Sequence, residues 1–260
     1  MYLLILIFTL FAAIPTWAVE LYGAWQQGGY IYGQAEAGAQ VTINGKKAIT
    51  AEDGRFLYGL DRHFKAEAVV QIKNAEKTFE RTLIIEPRSY KTQHIKGVSS
   101  NKVNPNTKEL ERIRAEKAAI TKARKTLSTA NFPIKMAYPV SAPLSGVYGS
   151  RRTFNGQERS WHKGADLAAP SGTPVVSPAS GKVIFADETF FSGNIVIVDH
   201  GFGLFGHFAH LKDITVRVGE EVDTKTILGH VGSTGRSTGP HLHWGLYFQN
   251  VAVDPLLWLQ

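Results

Sequence analysis

The stretch Gly239-Pro-His-Leu-His-Trp-Gly-Leu-Tyr-Phe248 predicts a β-strand that begins after a Gly-Pro break. Alternate residues of a strand project from one face, about 6.6 Å apart along the chain, so His241 and His243 point into the same site. Leu242 lies between them and is expected to pack on the opposite face of the sheet. The stretch therefore predicts a sheet that carries two imidazoles on one face.

A second group of potential metal ligands occurs earlier, in Trp161-His162-Lys-Gly-Ala-Asp166. A catalytic zinc site needs three protein nitrogen or oxygen ligands and one position left open for water. His162, Asp166 and one of the two later histidines fit that count, and the remaining imidazole is then free to face the water. A pair of strand histidines alone is weak evidence, because such residues are more often structural than metal-binding.

A third motif, Phe208-Ala-His210-Leu211, follows the apolar run 194–201 and completes an ordered series between about residues 138 and 255. The other members of the series are Gly149-Ser-Arg-Arg152, Gly172-Thr-Pro-Val175, Gly181-Lys-Val183 and Gly232-Ser-Thr-Gly-Arg-Ser-Thr-Gly239. The series resembles the lysostaphin-type (LytM-like) zinc metallopeptidases, which cleave bacterial peptidoglycan. Two positions depart from the usual family pattern: Phe208 stands where tyrosine is common, and Gly245 where an acidic residue is frequent.

The resemblance implies that His162, Asp166 and His243 bind Zn2+, while His210 and His241 line the catalytic water. The chain has no H-E-x-x-H motif, so proton transfer is expected to fall to histidine, whose pKa lies near neutrality. Which of the two imidazoles is the general base stays open at this point.

The function implied is that of a zinc metalloendopeptidase that hydrolyses amide bonds in peptidoglycan. The alternative is a non-enzymatic regulator that binds and activates other wall hydrolases, as relatives do that have lost zinc ligands. Because every ligand and both catalytic histidines are retained here, catalysis is favoured. The bond that is cut and the oligomeric state are left open.

Three further histidines are expected to have structural roles. His207 lies three residues before His210, so strand alternation predicts that it points to the opposite face. His200 is expected to end a strand or orient a loop, and His230 to have a structural role near the cleft.

The sequence predicts a mainly β protein with two small domains, since 260 residues with 43% hydrophobic side chains suffice for both. Residues 19–96 alternate short apolar runs with turns, including the hairpin signal Asn44-Gly45, and predict a small β-sandwich that resembles immunoglobulin-like modules. We expect this module to position the enzyme or to bind an envelope partner. Residues 132–260 are expected to form the peptidase domain, for which the resemblance implies an open antiparallel sheet with a groove.

Residues 97–131 predict a linker that contains a helix from Thr107 to Ser128, capped by Asn106 and Glu109. Its narrow apolar stripe includes Ile120 and is interrupted by Lys117 and Arg124. We therefore expect the helix to dock on its own chain rather than to form a coiled coil.

The uncharged, mostly apolar residues 1–18 predict a secretory signal that is cleaved after Ala18, with an uncleaved anchor as the alternative. The absence of cysteine suits an exported protein, and we expect the periplasm or cell envelope as its location. The net charge of +7 is compatible with nucleic acid, but no nucleic-acid motif occurs. Electrostatic retention at the anionic cell wall is the hypothesis that we favour.

Overall fold

The protein is represented by a computed structural model that describes residues 19–125 and 132–259. The predicted signal peptide, residues 1–18, lies outside the described residues, as does the predicted helix end at Leu127 and Ser128. Within the described ranges, no helix is long and apolar enough to cross a bilayer.

The first part of the chain consists of short strands that form two four-stranded antiparallel sheets, with strand orders β1-β2-β6-β5 and β4-β3-β7-β8. These strands are β1 (Leu21–Ala24), β2 (Tyr30–Gln34), β3 (Gln40–Ile43), β4 (Lys46–Lys47), β5 (Ile49–Thr50), β6 (Arg55–Gly59), β7 (Glu67–Lys73) and β8 (Thr78–Ile84). Along β7, Ala68, Val70 and Ile72 are buried in the core while the residues between them are more exposed, which is the alternation expected of a half-buried strand. The predicted small β-sandwich is confirmed.

The hairpin signal Asn44-Gly45 also behaves as predicted. It joins β3 to β4, and both residues have positive φ, 49° for Asn44 and 76° for Gly45. Two consecutive residues with positive φ make the turn whose twist matches that of the flanking strands.

A connecting region follows, with strand β9 (Thr92–Ile95) and helices α1 (Ser100–Val103) and α2 (Thr107–Ala123). The short α1 lies in the predicted linker, before the predicted helix. Helix α2 has the predicted capping box, in which Asn106 and Glu109 exchange hydrogen bonds of 3.0 and 2.8 Å. Ile120 packs on the larger sheet described below, so the helix docks on its own chain as expected.

The rest of the chain forms a ten-stranded sheet and a separate hairpin. Its elements are β10 (Leu144–Gly146), β11 (Arg151–Phe154), β12 (Gln157–Arg159), β13 (Ala165–Leu167), β14 (Pro174–Val176), β15 (Gly181–Thr189), β16 (Gly193–Asp199), β17 (Leu204–Ile214), β18 (Glu221–Val222), β19 (Ile227–Val231), β20 (Leu242–Phe248), β21 (Val251–Val253) and a 3-10 helix (Pro255–Trp258). The main strand order is β10-β13-β20-β17-β16-β15-β18, with antiparallel pairing. This arrangement confirms the mainly β fold with an open antiparallel sheet.

The two faces of this sheet differ in what covers them. Leu242, Trp244 and Leu246 point into the main core, as predicted for Leu242. The opposite face carries His243 and, further along, a smaller apolar cluster formed by Ile195, Ile197 and Phe205. Helix α2 lies over that smaller cluster, on the same face as the histidines.

Strand β9 belongs to the segment predicted as the N-terminal module, yet it pairs with the hairpin of β11 and β12. Thr92–Ile95 runs parallel to Arg151–Phe154, so β9, β11 and β12 form a three-stranded sheet. The division of the chain into a module, a linker and a peptidase domain stays a prediction, and this strand joins the first segment to the last.

Candidate metal centre and active site

Two neighbouring strands bring the first two potential metal ligands together. In the antiparallel pair β13–β20, Asp166 lies directly opposite His243. Side chains at directly opposed positions of such a pair share one face and lie within contact distance. Nδ1 of His243 accordingly lies 2.8 Å from Oδ1 of Asp166.

His162 reaches the same point from the loop before β13. Its Nε2 lies 2.9 Å from Oδ1 of Asp166 and 2.9 Å from Nδ1 of His243. Its Nδ1 donates to the carbonyl of Val147 at 3.0 Å, which leaves the Nε2 lone pair directed at the other two ligands. The loop is fixed by a hydrogen bond from the His162 amide to the carbonyl of Ser150 and by one from the Gly149 amide to the carbonyl of His162, both 2.8 Å.

These three side chains fit a metal ion. Two imidazole nitrogens and one carboxylate oxygen are a donor set typical of catalytic zinc. Ligands on a tetrahedral zinc ion, with bonds of about 2.0–2.1 Å, lie about 3.3 Å apart, so the observed 2.8–2.9 Å separations need to open by only about half an ångström. His162, Asp166 and His243 could therefore bind a metal ion.

The electrostatics of the triad suit cation binding. Burial raises the pKa of Asp166, but His162 and His243 outweigh it and hold that pKa well below its usual range. Burial lowers the pKa of His162 to about 4, against an opposing effect of Asp166. At neutral pH the triad therefore offers a carboxylate and an unprotonated imidazole, the forms that bind metals.

Arg152 of β11 holds the second carboxylate oxygen of Asp166. Its guanidinium lies 2.5 Å from Oδ2, and its Nε donates to Gln93 of β9 at 3.1 Å. A contact of this kind orients a ligating carboxylate. Hydrogen bonds thus connect Asp166 through Arg152 to Gln93, which lies in the segment that was predicted to belong to the N-terminal module.

His162 has an analogous support from the same segment. The buried Arg62 donates through Nε to the carbonyl of Gly149 at 2.6 Å, and its guanidinium lies 5.7 Å from the ring centroid of Trp161, the residue before His162. The amide of Gly149 in turn binds the carbonyl of His162. Both ligand-bearing segments are therefore in contact with residues from the first hundred positions.

The two remaining histidines of the motifs lie beside the triad. The ring centroids of His210 and His241 are 4.8 Å apart, and Nε2 of His241 is 3.9 Å from Oδ1 of Asp166. Each Nδ1 contacts a backbone carbonyl at 2.8 Å, that of Thr234 for His210 and that of Gly239 for His241. With Nδ1 as the donor in both rings, each Nε2 is free to exchange a proton with a bound molecule.

The position of His210 depends on an irregularity in β17. The pairing with β16 shifts register between Asn194 and Val196, which oppose Leu211 and Phe208, so β17 has one extra residue there. His210 adopts a φ of 65° at this bulge. Bulges redirect side chains, and this one turns His210 toward His241 and His243.

The same bulge overturns the expectation for His207. Simple alternation predicts that His207 points away from the face that carries His210, but both lie on the histidine-bearing face because the inserted residue resets the alternation. His207 is buried, and its Nε2 contacts the guanidinium of Arg124 at the C-terminal end of α2. Its ring also lies 4.5 Å from that of Tyr247, so its role is structural.

His200 and His230 have the structural positions predicted for them. His200 follows the end of β16, is buried, and donates through Nδ1 to the carbonyl of Ser180 at 2.9 Å. His230 pairs with Asp213 at 2.7 Å across β17 and β19. Neither lines the cavities that border the triad.

The cleft above the triad is bordered by two segments, residues 152–160 and 187–193. A cavity of about 150 Å³ is lined by His162, His210 and His243 together with Arg152, Phe154, Ser160, Trp161, Lys163, Phe191, Ser192 and Arg236. Beyond Lys163 and Phe191 a second cavity begins, which helix α2 lines through Ile113, Ile120 and Arg124. The groove is therefore open beside the triad and bounded by a helix further along.

Sequence reasoning did not single out Arg152, Arg236 or Arg124. Arg152 and Arg236 occur inside the quoted motifs, so their positions were visible but their partners were not. Arg124 was noted only as an interruption of an apolar stripe, whereas it is half-buried over the rings of Phe205 and Tyr247. Packing against two aromatic rings is a tertiary contact, and the spacing of apolar residues along the helix does not reveal it.

Comparisons with known proteins agree with this geometry. Residues 160–255 match the family model described as peptidase family M23. A crystal structure assigned to peptidase M23 from Pseudomonas aeruginosa is 30% identical, covers 90% of this chain and 95% of that chain, and superposes with a TM-score of 0.69.

Two curated relatives match over shorter stretches. The peptidoglycan DD-endopeptidase ShyA of Vibrio cholerae is 34% identical over 122 residues, which are 46% of this chain and 28% of that protein. The DD-carboxypeptidase/endopeptidase Mpg of Neisseria meningitidis serogroup B is 41% identical over 95 residues, 36% of this chain and 22% of that protein. The chain thus spans less than a third of the length of these two relatives.

Proposed function

This chain belongs to peptidase family M23, and from that premise we propose that it is a zinc-dependent endopeptidase that hydrolyses amide bonds in the peptides of bacterial peptidoglycan. The observation that carries the proposal is the meeting of His162, Asp166 and His243 at mutual distances of 2.8–2.9 Å, with His210 and His241 beside them. The substrate class is suggested by a relative that is named as a peptidoglycan DD-endopeptidase.

In the proposed mechanism, Nε2 of His162, Oδ1 of Asp166 and Nδ1 of His243 would hold the zinc ion. A zinc ion bound there would supply Lewis acidity to the scissile carbonyl and to a water molecule near neutral pH. Arg152 keeps the Asp166 carboxylate in place, and the carbonyl of Val147 keeps the His162 ring in the binding tautomer.

Proton transfer falls to the two other imidazoles. Burial lowers the pKa of His210 to about 3, so this ring is neutral at physiological pH and a weak base. His241 has a partly exposed side chain and faces Asp166, and we assign it as the proton acceptor. His210, whose ring lies beside that of His241 and lines the same cleft, then contacts the reacting groups and helps to position them.

The open groove suits an extended peptide. Loops 152–160 and 187–193 form its walls, and the sheet with the triad forms its floor. A peptide lying in this groove places one of its amide bonds over the triad. We further propose export to the periplasm or cell envelope, a location that the predicted signal at residues 1–18 suggests, with retention favoured by the net charge of +7.

The competing function is that of a non-enzymatic regulator of other wall hydrolases. Loss of ligands would favour it, but the chain retains the triad and both flanking histidines. A wall-binding role of the N-terminal β-sandwich is compatible with either function.

Zinc stoichiometry and product analysis test the proposal together. The purified protein is expected to contain one zinc ion per chain and to release products from purified peptidoglycan whose masses identify a hydrolysed amide bond. His243→Ala is expected to lose both zinc and product formation. A zinc-loaded wild-type protein that releases no product but accelerates a second wall hydrolase would contradict the enzyme and support the regulator.

A further inference from the structure

Arg236 lies at the edge of the metal cleft, in the loop between β19 and β20, where it packs against two aromatic rings. Its guanidinium carbon is 4.2 Å from the ring centroid of Phe191 and 4.6 Å from that of Phe154. Its backbone amide donates to the carbonyl of Phe191 at 2.8 Å. The cation is therefore held between two aromatic rings that come from the two loops bordering the cleft.

The guanidinium of Arg236 has N–H donors available for a bound group. In the parts of the chain that the structure describes, residues 19–125 and 132–259, no carboxylate or carbonyl accepts a hydrogen bond from the Arg236 side chain. Arg152, in the same cleft, is by contrast paired with Asp166 and Gln93. Aromatic contacts fix the place of a guanidinium but leave its five in-plane N–H groups available.

Arg236 also faces the reaction site directly. It lines the cavity that contains His162, His210 and His243, and the adjoining cavity that contains Asp166 and His241. A group bound to this guanidinium therefore lies next to the proposed reaction centre.

The charges around Arg236 favour an anion. Of the carboxylate, lysine and arginine side chains that line the two cavities, Arg152, Lys163 and Arg236 are cationic, and Asp166 is the carboxylate that Arg152 already pairs with. Burial, together with the nearby Arg152 and Arg159, lowers the pKa of Arg236 to about 10. A partly desolvated cation without a counter-ion is costly, so binding of an anion relieves this cost.

We propose that Arg236 is a specificity-determining residue that binds a free carboxylate of the peptide substrate next to the scissile amide. The proposal rests on the proposed function and narrows its substrate class to peptides that carry such a carboxylate, as opposed to neutral interpeptide bridges. A planar guanidinium matches the two oxygens of a carboxylate, and its clamped position lowers the entropy lost on binding.

The test compares two substrates that differ in their free carboxylates. One is a crosslinked peptide dimer purified from digested peptidoglycan, and the other is the same dimer after its carboxylates have been converted to carboxamides. Arg236→Met keeps an apolar side chain between the two rings and removes the charge, whereas Arg236→Lys keeps the charge without the planar fork. Arg217→Met, at an exposed arginine, is the matched control for net charge.

For the free-carboxylate dimer, Arg236→Met is expected to raise KM about ten- to hundredfold, the effect of losing a charge-assisted hydrogen bond. For the amidated dimer the same variant should stay within about twofold of the wild type, and Arg217→Met should leave both substrates unchanged. Arg236→Lys should recover part of the loss. Equal losses on both dimers, or no loss on either, would overturn the proposal.

A binding measurement separates this inference from the proposed function. In a zinc-loaded His241→Ala background, titration calorimetry gives the dissociation constant of each dimer without turnover, with and without Arg236→Met. If the wild type hydrolyses neither dimer, the proposed function fails, while a tenfold weaker binding of the carboxylate dimer alone still supports the role of Arg236. Thermal unfolding checks that the variants fold. If Arg236→Met does not fold, the two dimers are compared with Arg236→Lys instead.

Discussion

Gly146→Ala is expected to weaken zinc binding through a steric contact with one ligand. Gly146 lies opposite Asp166 in the β10–β13 pair, and a Cβ atom at position 146 would lie 2.3 Å from Oδ2 and 2.8 Å from Cγ of Asp166. Real Cβ atoms essentially never come closer than 3.0 Å to a neighbour, so the carboxylate or its strand must move by about 0.7 Å. Asp166 is buried and bound by Arg152, so it has no easy way to swing aside.

The expected magnitude follows from the narrow tolerance of metal coordination. Ligand distances in zinc sites vary by about 0.2 Å, so a displacement of about 0.7 Å removes Asp166 from its position. We expect a loss in zinc affinity on the order of a hundredfold, about 2.7 kcal/mol, which is at the upper end of the range for groups that orient ligands. Overpacking should also destabilise the fold by about 1–3 kcal/mol.

Competition with a chromophoric chelator measures the zinc affinity, and urea unfolding of the same samples measures stability. Gly239→Ala is the matched control in the loop of the site, because a Cβ there meets no heavy atom within 4 Å and its φ lies outside the left-handed region. It should bind zinc like the wild type. Folded Gly146→Ala with wild-type zinc affinity would refute the assignment of Asp166 as a ligand, and an equal loss in Gly239→Ala would refute the steric explanation.

Three other predictions concern catalysis, pH and the cell wall. His241→Ala should keep one zinc ion per chain but lose amide hydrolysis by about 10²–10⁴-fold, and loss of zinc from this variant would argue against its role in proton transfer. Burial lowers the pKa of His200 from 6.5 to about 4, so the neutral form stabilises the fold at neutral pH, and this stability is lost as the pH falls from about 6.5 to 4. His200→Asn cannot titrate, and its unfolding free energy should fall by about 3 kcal/mol less than that of the wild type over this range, whereas parallel curves would contradict the linkage. The amount of protein that co-sediments with purified cell wall should decrease at high salt, because salt screens the net charge of +7. Binding that does not depend on salt would contradict electrostatic retention.

Much of the site was predictable from the sequence because strand alternation is local. The H-x-H spacing places His241 and His243 on one side of Leu242, and the structure has Leu242 in the main core, as expected. The convergence of these residues with His162 and Asp166 was implied by the resemblance to lysostaphin-type peptidases, and the register of β13 and β20 brings it about.

The error for His207 and the contacts that were missed arose where one inserted residue or one distant contact decides the geometry. The bulge in β17 resets the alternation of side chains between His207 and His210, and no residue type in that stretch indicates a bulge. The parallel pairing of β9 with β11 joins positions about sixty residues apart, which local propensity does not specify. The partners of Arg152 and Arg236 depend on the same long-range packing.

The most direct test of the central claim is the release of new amino groups from purified peptidoglycan by residues 19–260, with a chelator, after zinc restoration, and with His241→Ala as the inactive control. If the protein is a zinc endopeptidase, release should stop with the chelator, return with zinc and be absent in the variant. Release that persists in the chelator-treated protein, or equal release by His241→Ala, would contradict this function.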